Sequence, residues 1–342
     1  MKIIKYGFLG FILVLTGMIS SEVSAQDTKD TERIEALRDM VKSESFNVSG
    51  LIHARGVYSF DENGSRFFRV PHARIKVNGK LDGGFSYNVH FDAAASSTVV
   101  DAFIGYKIND KANLTIGIQK PGVSYEYLTA PHKVDFVTRS TVVSTLTSHR
   151  DIGLRMHGGL TDAINYSFGV FNGNGYGSND NNKFFYAGRL NYDSSLEEGS
   201  LIVGVNASYG EHENRNLSSN LPTINGDRLT YGADLRFDNS SIILASEVLG
   251  AELEYTGFTE IDNVFGFHVT GGYKISGKTH ALLRYESFNS DLLAPSADRE
   301  QIVIGLNRYP TGQTGFKINY LLPVDDTGFS NHGLQLNYYI SF

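Results

Sequence analysis

The sequence predicts an all-β fold, a transmembrane antiparallel β-barrel of about 16 strands preceded by a short N-terminal helical segment. Three observations carry this expectation. The chain opens with an export signal, most of it alternates apolar and polar residues with a period of two, and its connections run alternately long and short.

Lys2 and Lys5 make a basic start, an apolar run follows from Tyr6 to Ile19, and Val23-Ser24-Ala25 before Gln26 forms a small-residue cleavage site. This is the pattern of a signal peptide over residues 1–25; the competing reading, an uncleaved anchor, needs a longer apolar run. No later run approaches the roughly 20 apolar residues of a spanning helix. The expected product is therefore exported, either as a soluble periplasmic or secreted protein or as a barrel in the outer membrane of a Gram-negative bacterium. The 36 Gly, 19 Tyr and 22 Phe, against 7 Pro, suit many strands, tight turns and interfacial rings, and the lack of Trp leaves any aromatic girdle to Tyr and Phe. With no Cys there are no disulfides, thiolate metal sites or cysteine nucleophiles. The net charge is −7, and losing two lysines and one glutamate with the signal takes it to −8, which argues against a nucleic-acid partner.

Residues 26–44 form a segment of their own. Thr31 to Arg38 are mostly good helix formers, and Ile34, Leu37 and Val41 fall at heptad spacing. This predicts a periplasmic helix, either a coiled-coil stub that helps to hold a trimer or a solvated leader or barrel-mouth plug.

The barrel is expected over residues 45–342. Its clearest strand is the last, where Leu334, Leu336, Tyr338, Ile340 and Phe342 alternate with Gln335, Asn337, Tyr339 and Ser341. The same rhythm recurs at Phe85/Tyr87/Val89/Phe91, Ile152/Leu154/Met156, Ile164/Tyr166/Phe168/Val170, Leu201/Val203/Val205/Ala207/Tyr209, Leu229/Tyr231/Ala233/Leu235/Phe237 and Phe316/Ile318/Tyr320. Each segment has about 9 to 12 residues, enough for a tilted strand to cross a bilayer. A secreted sandwich also alternates, so the connections decide. Long ones fall at Asp61–Ser65, Ala94–Thr98, Pro121–Ser148, Gly173–Asn182, Gly210–Gly226, Glu252–Asn263, Phe288–Arg299 and Pro323–Asn331. Between them lie tight turns at Asp82–Gly84, Asn109–Asn113, Gly159–Ala163, Asp193–Ser200, Asp238–Ser241, Ser276–Lys278 and Pro310–Gln313. Eight loops and seven turns join sixteen strands, one miscounted hairpin making it fourteen or eighteen. An up-and-down barrel has one rim of long loops and one of short turns, whereas a sandwich has no reason to alternate. In hydrocarbon an open sheet edge would leave backbone groups unsatisfied, so the sheet must close. A last strand ending in Phe342 matches the terminal signal read by the barrel-assembly machinery.

The middle of the chain resembles the phosphate-selective porin O and P family. The matching text is Arg69-Val70-Pro71-His72-Ala73-Arg74-Ile75-Lys76-Val77-Asn78-Gly79-Lys80-Leu81, Tyr87 to Asp92, Asp101-Ala102-Phe103-Ile104-Gly105-Tyr106-Lys107 and Leu114 to Pro121. It continues through Arg139-Ser140, Arg150-Asp151-Ile152-Gly153, Tyr166 to Gly173 and Tyr186-Ala187-Gly188-Arg189-Leu190-Asn191-Tyr192, covering about residues 45–195. The resemblance implies a sixteen-stranded trimeric porin passing anions, phosphate in some members, narrowed by the connection after Lys120. In this chain Lys120, Glu126, Lys133 and Arg139 are the constriction-loop candidates.

Strand phase gives an independent expectation for the lumen. The residues opposite the lipid-facing set include ten cations, Arg55, Arg74, Lys76, Lys80, Arg155, Arg189, Arg228, Arg236, Arg284 and Lys317. They include six acids, Asp92, Asp101, Asp151, Asp234, Glu247 and Glu286. A basic lining favours anions. His72, Arg74, Lys76 and Lys80 share one face of the second strand; they read either as a basic ladder for anions or as a solvated face partly neutralised by Asp92 and Asp101.

Catalytic and metal patterns are weak. Ser148 and His149 are adjacent, with Asp151 nearby, but on a strand neighbours point to opposite faces, so the two do not easily pair. Gly173-Asn174-Gly175-Tyr176-Gly177 leads into Asn and Asp rather than a helix, as an external loop would. Asp61-Glu62-Asn63-Gly64 and Asp325-Asp326-Thr327-Gly328 lack the bidentate acid of a calcium loop. The sequence thus predicts no enzyme, cofactor or metal. It predicts a passive channel for small hydrophilic solutes, preferring small inorganic or organic anions, set in outer-membrane lipid as a homotrimer. The alternative is a structural or surface-interaction barrel closed by its loops. An active transporter with an N-terminal plug and 22 strands needs a longer chain.

Overall fold

The structure, a computed structural model, describes residues 45–147, 150–293, 298–324 and 332–342. The expected signal and helical segment, Ser148 and His149, and Asp325-Asp326-Thr327-Gly328 lie outside the described residues. Sixteen antiparallel strands close into one barrel. They are β1 (Asn47–Ser59), β2 (Arg66–Lys80), β3 (Phe85–Asp92), β4 (Val99–Asn109), β5 (Ala112–Gln119), β6 (Asp151–Gly159), β7 (Ile164–Phe171) and β8 (Phe185–Leu196). They continue as β9 (Gly199–Arg215), β10 (Ile224–Asp238), β11 (Ile242–Tyr255), β12 (Asp262–Ser276), β13 (Thr279–Ser290), β14 (Arg299–Thr311), β15 (Thr314–Pro323) and β16 (Gly333–Ser341).

The outer wall follows from cross-strand pairing, because residues directly opposite share a face. Ile104 pairs with Ile116, Ile116 with Leu154, Leu154 with Val170 and Val170 with Tyr186, an apolar row across five strands. Exposed aromatic pairs share the outer surface, with Phe85 and Tyr106 rings 5.0 Å apart and Phe316 stacked on Tyr338 at 4.3 Å. Closure is made by β1 and β16, where the Gly50 N–H donates to the Phe342 carbonyl at 2.8 Å and the Phe342 N–H to the Gly50 carbonyl at 3.1 Å.

Two features depart from the sequence reading. Several strands outrun the expected length: β9 has 17 residues and β10 has 15, so the loop expected over Gly210–Gly226 shrinks to residues 216–223. Glu211 and Glu213 are exposed on one face of the β9 extension and His212 is buried on the other, so both faces are polar and carry no apolar rhythm. The phase of β2 also reverses at Pro71. Beyond it Arg74 and Lys76 face the lumen, as their shared cavity with β6 residues requires. Before it Arg69 shares an interior cavity with Arg55 and His72, while Phe68, 90% exposed, lies over Gly56 on the outside. Pro71 sits at the reversal, and Pro has no N–H to give to the ladder there.

Glycines in the matching motifs answer to close backbone approach. Gly117 sits at φ +133° opposite Gly153, and a Cβ on it would lie 2.2 Å from the Ala102 carbonyl. A Cβ on Gly153 would lie 2.3 Å from the Val170 carbonyl. These two positions therefore accept no side chain without a shift of the neighbouring strands.

Candidate functional site

The loop between β5 and β6 turns into the barrel and carries two short helices, α1 (Tyr125–Leu128) and α2 (Thr141–Leu146). Their burial is hydrophobic. Val142, Val143 and Leu146, all fully buried, pack with Phe171, Phe185, Leu249, Leu253, Val264 and Phe288 from the walls of β7, β8, β11, β12 and β13. Between the two helices, Phe136 packs with Ile243, Leu282 and Val303. One half of the lumen is thus filled like a soluble core.

Polar ties fix the loop to the barrel wall. Arg236 holds Asp135 at 2.6 and 3.2 Å and Asp238 at 2.8 Å. Lys317 donates to the carbonyls of His132, at 3.0 Å, and Val134. Asn307 donates to the Asp135 carbonyl at 2.7 Å, Arg228 to that of Leu146 at 2.7 Å and Arg55 to that of Val137 at 2.7 Å. Thr141 Oγ1 donates to Glu286 at 2.7 Å, and the Glu126 N–H to Glu247 at 3.0 Å.

Glu126 is the hub. Its Oε2 accepts from the N–H and Oγ of Ser140, both at 2.8 Å, tying α1 to the start of α2, and its Oε1 faces Arg284 at 3.4 Å. Burial alone would raise this carboxyl, but His268, Arg284 and the two Ser140 bonds outweigh it and hold it below its ordinary value. Arg139 donates to the Glu126 carbonyl at 2.9 Å and the Thr129 carbonyl at 2.7 Å. Lys120 donates to the carbonyls of Tyr127 and Leu128. Two cations therefore serve the exposed carbonyls at the end of α1, where helix geometry leaves acceptors unpaired. Burial, then Arg139 and Arg150, push Lys120 well below its ordinary value.

The other half of the lumen is open, as two chambers with Pro131 lining both. The outer, about 570 Å³, is lined by Arg55, Arg69, His72 and Arg139. The inner, about 550 Å³, is lined by Arg74, Lys76, Lys120, Arg150 and Arg155. Two wall acids at these chambers, Asp101 in the inner lining and Asp92 beside Arg74 and His72, are held by cations. Asp92 accepts from Arg74 at 2.7 Å and contacts His72 at 3.1 Å, and Asp101 faces His90 at 3.0 Å and Arg150 at 3.2 Å. Among the described residues Lys76, Arg155, Arg55 and Arg139 have no carboxylate within salt-bridge distance.

The sequence-derived residues thus separate. Arg55, His72 and Arg139 line the outer chamber, and Arg74, Lys76, Lys120 and Arg155 the inner. Arg189 is spent on Asp234, with an Nη2 bond of 2.7 Å. Arg236, Glu126 and Lys133 line a third cavity of about 350 Å³ between the loop and β10–β12, and Lys80 is exposed outside both chambers. Residues that strand phase did not supply are Arg69, Arg150 and His132. Pro71 was the signal for Arg69; Arg150 and His132 lie in the loop, beyond any periodicity. His53, buried on the lumen face of β1, sits 5.2 Å from the His72 ring.

The family model for phosphate-selective porin O and P matches residues 47–257. No curated protein sequence shows significant similarity to the chain. Among solved structures it is similar to the anion-selective porin from Comamonas acidovorans, at 11% identity over 87% of this chain and 99% of that one, with a TM-score of 0.63. It is similar to the outer membrane channel DcaP of Acinetobacter baumannii, at 14% identity over 87% and 97% with a TM-score of 0.61. It is also similar to OmpT of Vibrio cholerae in its trimer form, at 12% identity over 87% and 100% with a TM-score of 0.58.

Proposed function

Because the chain belongs to the phosphate-selective porin O and P family of outer-membrane channels, we propose that it is a passive diffusion pore that prefers small anions, phosphate among them. The observation that carries the preference is the imbalance in the open half of the lumen. Asp92 and Asp101 there are bonded to cations, while Lys76, Arg155, Arg55 and Arg139 are without carboxylate partners among the described residues. A row of such cations lowers the barrier for anions at several weak sites, which suits passage better than one tight site. The anion-selective porin with the same fold supports this reading. The trimeric form of a third similar structure supports a homotrimer. Ions pass without bond chemistry, so the reading assigns no catalytic role to any residue.

The test is the zero-current potential of the purified protein in a planar bilayer under a KCl gradient. A potential on the chloride side supports the reading. A potential on the potassium side sinks the anion preference, and absence of conductance would favour a structural barrel closed by its loops.

A further inference from the structure

Besides neutral polar groups and Asp101, the inner chamber is lined by cations and by apolar side chains. The strand wall brings Lys76 and Arg155, whereas β1, β4 and the loop bring Leu51, Phe103, Leu128 and Pro131. A hydrated inorganic anion uses only the first kind. The apolar residues give it no hydrogen bond and leave less room for the water it carries. A carboxylate with a compact hydrocarbon body uses both, because the charge finds a cation while the body leaves water against the apolar side chains.

We propose that the inner chamber takes monocarboxylates bearing a compact hydrocarbon body, with the carboxylate at Lys76 and Arg155 and the body against Leu51, Leu128 and Pro131. This rests on the anion-preferring reading above. Three observations support it. The chamber, about 550 Å³, lies within the range of small-molecule sites. Lys76 has no acid within salt-bridge distance among the described residues, and Arg155 gives one long bond, Nη1 to the Lys120 carbonyl at 3.3 Å, while its Nε is buried without a partner. The nearest acid of the lining, Asp101, is already held by His90 and Arg150, so it does not repel an incoming carboxylate unopposed.

The experiment compares two probes that carry the same charge and differ in body, benzoate and acetate. Each is titrated against the chloride current of the full mature protein in a planar bilayer at pH 7. Benzoate should halve the current at about one tenth of the acetate concentration, the factor that burying roughly half of a phenyl ring supplies. Leu128→Ser should narrow the gap, and Leu51→Thr should do the same should the first variant fail to insert. Lys76→Gln should weaken both probes together. Half-block concentrations within twofold of each other in the wild type overturn the proposal, as does a gap that neither apolar variant changes. The KCl potential of the wild type tests the anion preference by itself, so the two readings can fail separately.

Discussion

Replacing Glu126 by leucine should release the loop while leaving the barrel intact. The carboxylate accepts two bonds of 2.8 Å from Ser140 and faces Arg284, itself 1% exposed. Removing it strands a backbone N–H and a hydroxyl that no water reaches, and takes one of two carboxylates from a buried guanidinium. Glu286 at 2.8 Å keeps the other. Breaking a buried ion pair costs about 3–5 kcal/mol, which lowers the docking constant by roughly a hundred- to a thousandfold or more. The strand ladder makes no use of Glu126, so the heat-dependent gel mobility of a folded barrel should persist. The assay is single-channel conductance together with trypsin cleavage after Lys133 or Arg139. Conductance should rise with noisy openings, and cuts absent from the wild type should appear. Glu126→Gln, which retains an acceptor oxygen, should do less. Because the carboxyl is held below its ordinary value of 4.5, its contribution is complete at neutral pH and is lost only as pH falls below that value. A folded Glu126→Leu barrel with unchanged conductance and an uncut loop would refute the reasoning.

Other changes have equally definite outcomes. Lys76→Glu places an acid in the inner chamber without orphaning a partner and should move the zero-current potential toward the cation side; an unmoved potential would remove Lys76 from the pathway. Gly117→Ala must put a Cβ 2.2 Å from a carbonyl at positive φ, and should lower the urea midpoint of unfolding by at least the equivalent of about 1–3 kcal/mol. A wild-type midpoint would mean the two strands part easily. Burial, then Lys133 and Lys317, push His132 down to about 4 from 6.5. A depressed histidine favours the docked loop fully above 6.5 and progressively less as pH falls toward 4, so channel noise should grow over that window. His132→Gln should flatten the growth, and a persistent slope would assign it to another group.

The sixteen strands were legible because period two and turn chemistry are local. Leu334 to Phe342 state a strand without reference to anything else, and Asp82-Gly83-Gly84 states a turn. Length was less legible, because β9 leaves the apolar zone at Glu211 yet keeps its ladder partners in β10. The site was only half legible. Phase assigns Arg74 and Lys76 to the lumen, but it cannot tell an open lumen from one filled by a loop. Arg228, Arg284 and Lys317 share the lumen phase with Lys76, and each is almost wholly buried. That difference is created by the inserted loop, whose apolar Val142, Val143 and Leu146 sit on a helix of only six residues, too short to name its own partner. Glu126, read as a charge in the narrow passage, faces the closed side for the same reason.

The division of the lumen sets unequal freedom to vary. In the open half Lys76 has no carboxylate within salt-bridge distance among the described residues, so exchanging it strands no buried charge. In the filled half Arg228, Arg284 and Lys317 are tied to loop carbonyls or carboxylates, and any exchange there strands a buried partner. A lineage carrying this barrel can therefore retune what it admits by single substitutions at Lys76 of β2 and Arg155 of β6, while the face of β10–β15 changes only in compensated pairs. The same asymmetry tells an engineer where a new selectivity can be written without first rebuilding the scaffold.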